Sequence, residues 1–429
     1  MKHPVEILQD LIRIDTTNPP GNETAVARYL AELLEKAGIA TKFLGDDEQR
    51  LNLIARLPGR GEAPPVLWQG HMDVVTTAGQ HWSHPPLAAE IHDEMLWGRG
   101  TLDDKGSLAI MVAALLKAKE TGVQPPGDIV LTAVADEEVD GSHGARFLVE
   151  KHPEEFKGIR YGIGEGGGCA VWISGQKFYP IMVVEKQVCT LKATFRGKAG
   201  HGATPLRNGA MVKMARALTT LNRKRLPVHI TPVGRAMLEG MSKAFPFPKN
   251  IIFQQLLNPA LTDRILDALG DALDQVNPVL HNTVSPTIVE GSGKINVIPE
   301  TVQLGMDGRM LPGFKPETMR QELSDLLGPE AELEVVRYDP GPPPPTMTRY
   351  EILAQALKAA DPSGYPIPYQ LSAVTDGRYF CRLGIEMYGF MPLDLPPDLI
   401  NTVHGGDERV PVASIEKGAA IMFDILKKF

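Results

Sequence analysis

Cysteine is scarce in this chain. Cys169, Cys189 and Cys381 are three in 429 residues, odd in number and without C-x-x-C spacing. That excludes a disulfide framework and a thiolate zinc site, and it points to a reducing compartment, the cytoplasm. Long apolar runs are missing as well. The longest, AIMVAALL at residues 109–116, falls far short of the ~20 residues a membrane span requires. Positive charge is not in excess: 44 Lys and Arg against 52 Asp and Glu leave a formal charge of −8. This balance argues against nucleic acid or an anionic membrane as partner. Self-similarity at the periods of solenoid repeats is also lacking.

What is present is ordinary globular composition, 43% hydrophobic and 22% charged, enough for a sizeable core. The chain is too long for a single core, so two domains are expected. MKHPVEILQDLIRID spreads Glu6, Asp10 and Arg13 among apolar residues and reads as an amphipathic helix, not a signal peptide. A second helix, NETAVARYLAELLEKAG (22–38), stops at Gly38. PVLWQGHMDVV (65–75) reads as a buried strand, DKGSLAIMVAALLKAKETG (104–122) as a helix, and DIVLTAVADEEVDG (128–141) as a second buried strand. Strand, helix, strand implies a right-handed crossover between parallel strands. Open α/β sheets place their sites at the carboxyl ends of such strands, where His71/Asp73 and Asp136/Glu137/Glu138 fall.

Near residue 187 the character changes. VCTLKATFRGKAGHGATP is strand-like, NGAMVKMARALTTLNRK helical, and TVSPTIVEGSG, TVQLGMDGRM, KPETMRQELSDLLG and ELEVVRY continue a separate α+β unit. Residues 226–281 form a mostly helical excursion within it. DPGPPPPT (339–346) reads as a stiff polyproline hinge. After it, the helix YEILAQALKAA and the strand IEMYGFMPL return to the first style. The expected fold is therefore α/β: a mostly parallel-sheet catalytic domain with helices on both faces (1–186 and 341–429), interrupted by an inserted α+β domain (187–340).

Four polar segments occupy loop positions of the expected sheet: GHMD (70–73), GRGTLDDKG (98–106), ADEEVDG (135–141) and TVHGGDE (402–408). With Glu165 in GIGEGGG they offer two histidines and several carboxylates, a set suited to zinc, cobalt or manganese. Each also has a plainer reading. Glu137 and Glu138 would make a solvated turn, although unpaired carboxylates ending an apolar strand are costly without a cation. Asp103 and Asp104 would cap the next helix, and His404 would be an ordinary surface histidine. Residues 162–167 match G-x-G-x-x-G, but CAVWISGQKF follows where that dinucleotide fingerprint needs a helix.

Order and context decide between these readings. The run from His71 to Gly106, then DEEVDGSHGAR, GKAGHGATP, GKINVIPE, MDGRMLPG, TDGRYF and HGGDE, resembles one family across essentially the whole chain. It is the dinuclear zinc exopeptidase family of aminoacylase-1, glutamate carboxypeptidase, Gly-X carboxypeptidase, acetylornithine deacetylase and succinyl-diaminopimelate desuccinylase. AVTDGRYFCRLGIEMYGFMPL looks closest to the aminoacylase and Gly-X carboxypeptidase branch.

The resemblance implies two Zn²⁺ per subunit, with Co²⁺ or Mn²⁺ as substitutes. Their ligands would be His71, Asp103 as the bridge, Glu138, Glu165 and His404, and Asp104 falls on a variable position. Glu165 stands where aminoacylase-1-like members carry an aspartate, so its role follows the glutamate of the desuccinylase and carboxypeptidase branches. Asp73 would hold the His71 tautomer. Glu137 would be the general acid/base serving a metal-bridging hydroxide. A homodimer is also implied, with the inserted, ferredoxin-like domain as lid and dimerisation unit and His201 donating to the oxyanion across the interface. Arg309, oriented by Asp307, would clamp a free carboxylate. Thr375, Asp376 and Gly377 would approach the substrate by their backbone, with Arg378 structural. The implied activity is hydrolysis of the amide of an N-acyl amino acid or of a short peptide with a free C-terminus. The alternatives are a biosynthetic deacylase of the acetylornithine or succinyl-diaminopimelate type and a non-catalytic binding homologue. The intact His71, Asp103, Glu137, Glu138 and His404 set argues against the last.

Overall fold

The computed structural model describes residues 2–273 and 275–429. The chain forms two compact units. One comprises residues up to Val183 with Pro345–Tyr369 and Thr375–Phe429; the other comprises Val184–Pro344 with Gln370–Val374.

The first unit is built on a mixed sheet. Its strands lie in the order Ala40–Leu44, Asn52–Leu57, Ile129–Val134, Val66–His71, Tyr161–Gly164, Glu386–Gly389, Gln176–Glu185 and Tyr365–Leu371. The four central strands from Ile129–Val134 to Glu386–Gly389 run parallel. Antiparallel neighbours continue the sheet on both sides of them. Every residue of Val66–His71 and of Ile129–Val134 is buried, as parallel strands covered on both faces must be. Alternation along a strand identifies the two covers. Leu67 packs with Ala145, Leu148, Val149, Phe156 and Phe380. Gly70, on the opposite face, meets Leu108 of the helix Lys105–Thr121 so closely that a Cβ would stand 2.9 Å from its Cδ2. That helix is apolar around its circumference and buried along most of its length. Gly122 ends it with φ +70°, the left-handed conformation glycine adopts without strain. At its other end, buried Lys105 donates to the carbonyls of Leu11 (2.9 Å) and Ile14 (2.8 Å), closing the C-terminus of the first helix, Pro4–Arg13.

After Tyr161–Gly164 the chain enters another strand, Val171–Ile173, and no helix starts there. The glycine-rich match at 162–167 is thus no dinucleotide loop. Among the described residues, no helix is long and apolar enough to cross a membrane.

The second unit holds a four-stranded antiparallel sheet in the order Thr283–Glu290, Thr301–Met310, Gln187–Arg196, Glu332–Asp339. Burial alternates residue by residue along Thr301–Met310. Val302, Leu304 and Met306 pack with Leu191, Ala193 and Phe195 against Met214 and Ala217 of the helix Ala210–Arg223 and Met319 and Leu323 of Pro316–Leu327. The excursion contributes helices Pro232–Ala244, Lys249–Gln255 and Pro259–Leu269. Gln370–Val374 also belongs to this unit, although nothing in its sequence marks it off from the strand it continues.

Candidate metal centre and catalytic site

His71 ends its strand with a fully buried ring. Its Nε2 is 2.8 Å from Asp103 Oδ1 and 3.6 Å from Glu165 Oε2. The other oxygen of Asp103 lies 3.0 Å from His404 Nε2, which is 3.1 Å from Glu138 Oε2. Two triads result, His71/Asp103/Glu165 and Asp103/Glu138/His404, each with its donor atoms within 4.8 Å of one another. Asp103 is common to both. Glu137 belongs to neither.

Several local features hold these donors. Asp73 sits directly behind the acidic loop: its carboxylate accepts the backbone N–H groups of Glu137 and Glu138 (3.1 Å each) and the side-chain amide of Asn18 (2.8 Å). His71 Nδ1 lies 3.0 Å from the Asp73 carbonyl and 3.5 Å from its carboxylate. Asp73 therefore orients the His71 ring chiefly through its main chain and spends its carboxylate on the loop. Asp136 holds that loop from the other side, in ion contact with Arg50 (3.0 Å), which forks onto buried Glu23 (2.6 and 3.1 Å). Buried Glu408 accepts from the backbone N–H groups of Leu102 (2.7 Å), Gly100 (3.2 Å) and Asp103 (3.3 Å). Neither Glu23, Arg50 nor Glu408 stood out in the sequence. Only Glu408 carried a signal, its place beside HGGD.

Asp104 differs from a plain helix cap. It occupies the N-cap position, but its side chain makes no cap hydrogen bond. It is fully buried and its Oδ2 accepts the His71 backbone N–H at 3.2 Å.

The electrostatics of the bare donor set favour a cation. Burial, and then the Glu165 charge, push the Glu137 carboxyl well above its usual range. Burial likewise raises Glu165 against the opposing effect of His71. At His404 the hydrogen-bonding Asp103 and Glu138 carry the imidazole up to about 10, so a positive charge is strongly preferred between them. Glu138 Oε1 and Glu165 Oε1 are buried without a hydrogen-bond partner among the described residues. Buried carboxylate oxygens left unpaired in this way are expensive unless a cation meets them. The residues fit a pair of divalent ions.

Thr375, Asp376 and Gly377 are buried in the same unit. Thr375 Oγ1 accepts the Gly377 N–H at 3.0 Å. Asp376 lies against Gly141 of the acidic loop, where a Cβ would come within 3.1 Å of its Oδ1. Arg378 stacks on the ring of Tyr379 (4.5 Å) and donates to its hydroxyl (3.0 Å). His201 and Arg309 lie in the second unit. His201 is exposed on the two-residue strand Gly200–His201, with Nδ1 accepting the Ala203 N–H at 3.1 Å. Arg309 donates through Nε and Nη2 to Asp307 (2.9 and 3.1 Å), and its buried Nη1 has no partner among the described residues.

Comparison with known proteins gives the family and the fold. Residues 67–428 match the model of peptidase family M20/M25/M40. The human N-fatty-acyl-amino acid synthase/hydrolase PM20D1 is 25% identical over 98% of this chain and 87% of its own length. A Staphylococcus aureus protein named "Probable succinyl-diaminopimelate desuccinylase" is 34% identical over 48% of this chain and 46% of its own length. In fold, the chain is similar to the M20 family metallo-carboxypeptidase Sso-CP2 of Sulfolobus solfataricus, with a TM-score of 0.71 and 16% identity over 99% of both chains. Human carnosine dipeptidase 1 aligns with a TM-score of 0.61 and 15% identity over 99% of this chain and 96% of that one. With a family match spanning residues 67–428, the chain belongs to peptidase family M20/M25/M40 and is a metal-dependent amidohydrolase of that family.

Proposed function

We propose that this enzyme hydrolyses the amide bond of N-acyl amino acids, or of short peptides with a free C-terminal carboxylate, using two zinc ions. The observation that carries the reading is the sharing of Asp103 between two adjacent triads. His71, Asp103 and Glu165 would hold one ion, and Asp103, Glu138 and His404 the other. When bound, the ions supply a water of lowered pKa and polarise the scissile carbonyl. Glu137, beside the ligands but outside both triads, takes the proton of the attacking water and delivers it to the leaving amine nitrogen. Such positioned transfer contributes ~10²–10⁴-fold. His201 donates to the oxyanion. Arg309, its fork fixed by Asp307, presents Nη1 to the substrate carboxylate, and the backbone of Thr375–Gly377 positions the substrate.

The similarity, over 98% of this chain, to a protein named as an N-fatty-acyl-amino acid synthase/hydrolase supports the N-acyl amino acid class. Homodimerisation fits the edge of the second unit's sheet. Among the described residues, strand Thr283–Glu290 pairs on one side only and exposes Ile288 (58%) and Val289 (55%), a surface suited to a second copy. Three scattered cysteines without C-x-x-C spacing accord with a cytoplasmic setting.

The test is Glu137→Gln. A screen of N-acyl amino acids and dipeptides on zinc-loaded wild type should identify a substrate. The variant should lose at least ~10²-fold in turnover on it while elemental analysis finds its metal content unchanged. Loss of one metal equivalent would reverse the roles of Glu137 and Glu138.

A further inference from the structure

A third group of metal-competent donors lies outside the centre described above and shares no residue with it. His84, Glu90 and His92 place one donor atom each within 4.8 Å of the others. Glu90 Oε2 is 2.8 Å from His92 Nε2 and 3.7 Å from His84 Nδ1, so both imidazoles turn toward the same carboxylate oxygen. The rings are stacked, centroids 3.8 Å apart and planes 14° from parallel, and Trp97 packs on His84 at 64° with ring centroids 4.5 Å apart. Glu90 itself is fixed beside the antiparallel strands Ile91–His92 and Met95–Trp97, since its carbonyl accepts the Trp97 N–H at 2.9 Å. The three side chains are 28–44% exposed, open to ions from solvent.

We propose that His84, Glu90 and His92 form a peripheral divalent-cation site. Two imidazoles and one carboxylate, with the remaining position left to water, suit Zn²⁺, and the same nitrogen-rich set accepts Cu²⁺ or Ni²⁺ in preference to Mg²⁺ or Ca²⁺. An ion there would cross-link the strap from residue 80 to residue 92 to itself. That strap contributes to holding the loop bearing His404. Gln80 donates to the His404 carbonyl at 2.8 Å, and the Ser83 backbone N–H and hydroxyl donate to the Asp407 carboxylate at 2.6 and 2.9 Å. The peripheral ion would therefore stiffen the support of a residue at the buried centre without touching that centre.

The experiment compares zinc bound per chain in untagged wild type and in Glu90→Gln and His84→Ala/His92→Ala variants. Each protein is saturated with zinc and dialysed to micromolar free metal before elemental analysis. Wild type should carry one zinc per chain more than either variant, however many the buried centre holds, so a wrong count at that centre does not disturb the comparison. Calorimetric titration of zinc into the wild type should show a weaker phase that both variants lose. Glu90→Gln leaves the rings in place, so a folding failure of the double variant leaves the comparison intact. Equal zinc in wild type and Glu90→Gln, with no weaker phase in the wild type, overturns the site.

Discussion

Arg99 and Glu408 form a buried ion pair, Nη1 to Oε2 at 2.5 Å, with side chains 1% and 0% exposed. The pair joins the segment carrying Asp103 to the segment carrying His404. Arg99 also donates to the Gly405 carbonyl (2.8 Å) and to Gln80 (2.7 Å), while Glu408 collects the N–H groups around Leu102. Removing one partner strands the other charge. Glu408→Ala should therefore cost about 3–5 kcal/mol, read by chemical denaturation of the metal-free protein. The double change Arg99→Met/Glu408→Leu should recover much of that stability, because neither charge is then orphaned. It should not recover metal affinity, since the Asp103 loop loses its acceptor. Full recovery of both would reduce the pair to a stabilising contact alone.

Asp103 and Asp104 are neighbours with separate tasks. Asp103→Ala should empty both ion positions, because its two oxygens face His71 and His404. Asp104→Ala should keep the metal and lose the acceptor of the His71 N–H, a buried bond whose loss costs about 1–3 kcal/mol. Metal analysis and unfolding on the same samples separate the two. Equal metal loss from both variants would contradict the assignment of Asp103 as the shared ligand.

The sequence was most legible where one periodicity ran unopposed. Val66–His71, Lys105–Thr121 and Ile129–Val134 are each dominated by an apolar run, and their crossover puts His71 and Glu137 at neighbouring strand ends without any tertiary information. Polar residues whose partners are distant in the chain were not legible. Arg50 reads as a surface arginine until Glu23 and Asp136 close on it, and Asn18 as a turn residue until it meets Asp73. Buried Lys105 follows two acids and looks like a solvated helix start; its carbonyl partners are over 90 residues away. The antiparallel margins of the sheet were also hidden, because Gln176–Glu185 mixes partly and fully buried positions without strict alternation.

Lys186 gives a pH prediction away from the metal centre. Among the described residues its buried ammonium donates only to neutral acceptors, the His281 carbonyl (2.9 Å) and Thr283 Oγ1 (3.0 Å). Burial, and secondarily the Arg309 charge, push it down to about 7 from an ordinary value of 10.5. Between those values the unfolded chain binds the extra proton, so folding gains stability as pH rises, by at most about 1.4 kcal/mol per pH unit. Below pH 7 the cost of the buried charge is present in full. Lys186→Met should be more stable than wild type at pH 6, with the gap narrowing towards pH 10 in urea unfolding. A gap independent of pH would mean that Lys186 stays charged throughout.

His201 tests whether the active site is shared between subunits. It is exposed, and among the described residues only the Ala203 N–H engages its ring, at Nδ1. Its Nε2 is thus available to donate to an oxyanion, and loss of one such donor costs about 10²–10³ in turnover. His201→Ala should show that loss with metal content unchanged. If the donor acts across a dimer, His201→Ala and Glu137→Gln should complement each other. Each homodimer is inactive, but a heterodimer pairs one intact Glu137 centre with the intact His201 of the other chain, restoring up to half of the wild-type activity per dimer. Co-expression with two different tags isolates the heterodimer without relying on subunit exchange. Activity there, absent from both parents, requires donation in trans, because no single chain in the mixture carries both groups. Heterodimers as inactive as the parents would return His201 to its own chain, and a monomer in sedimentation velocity would remove the shared site altogether.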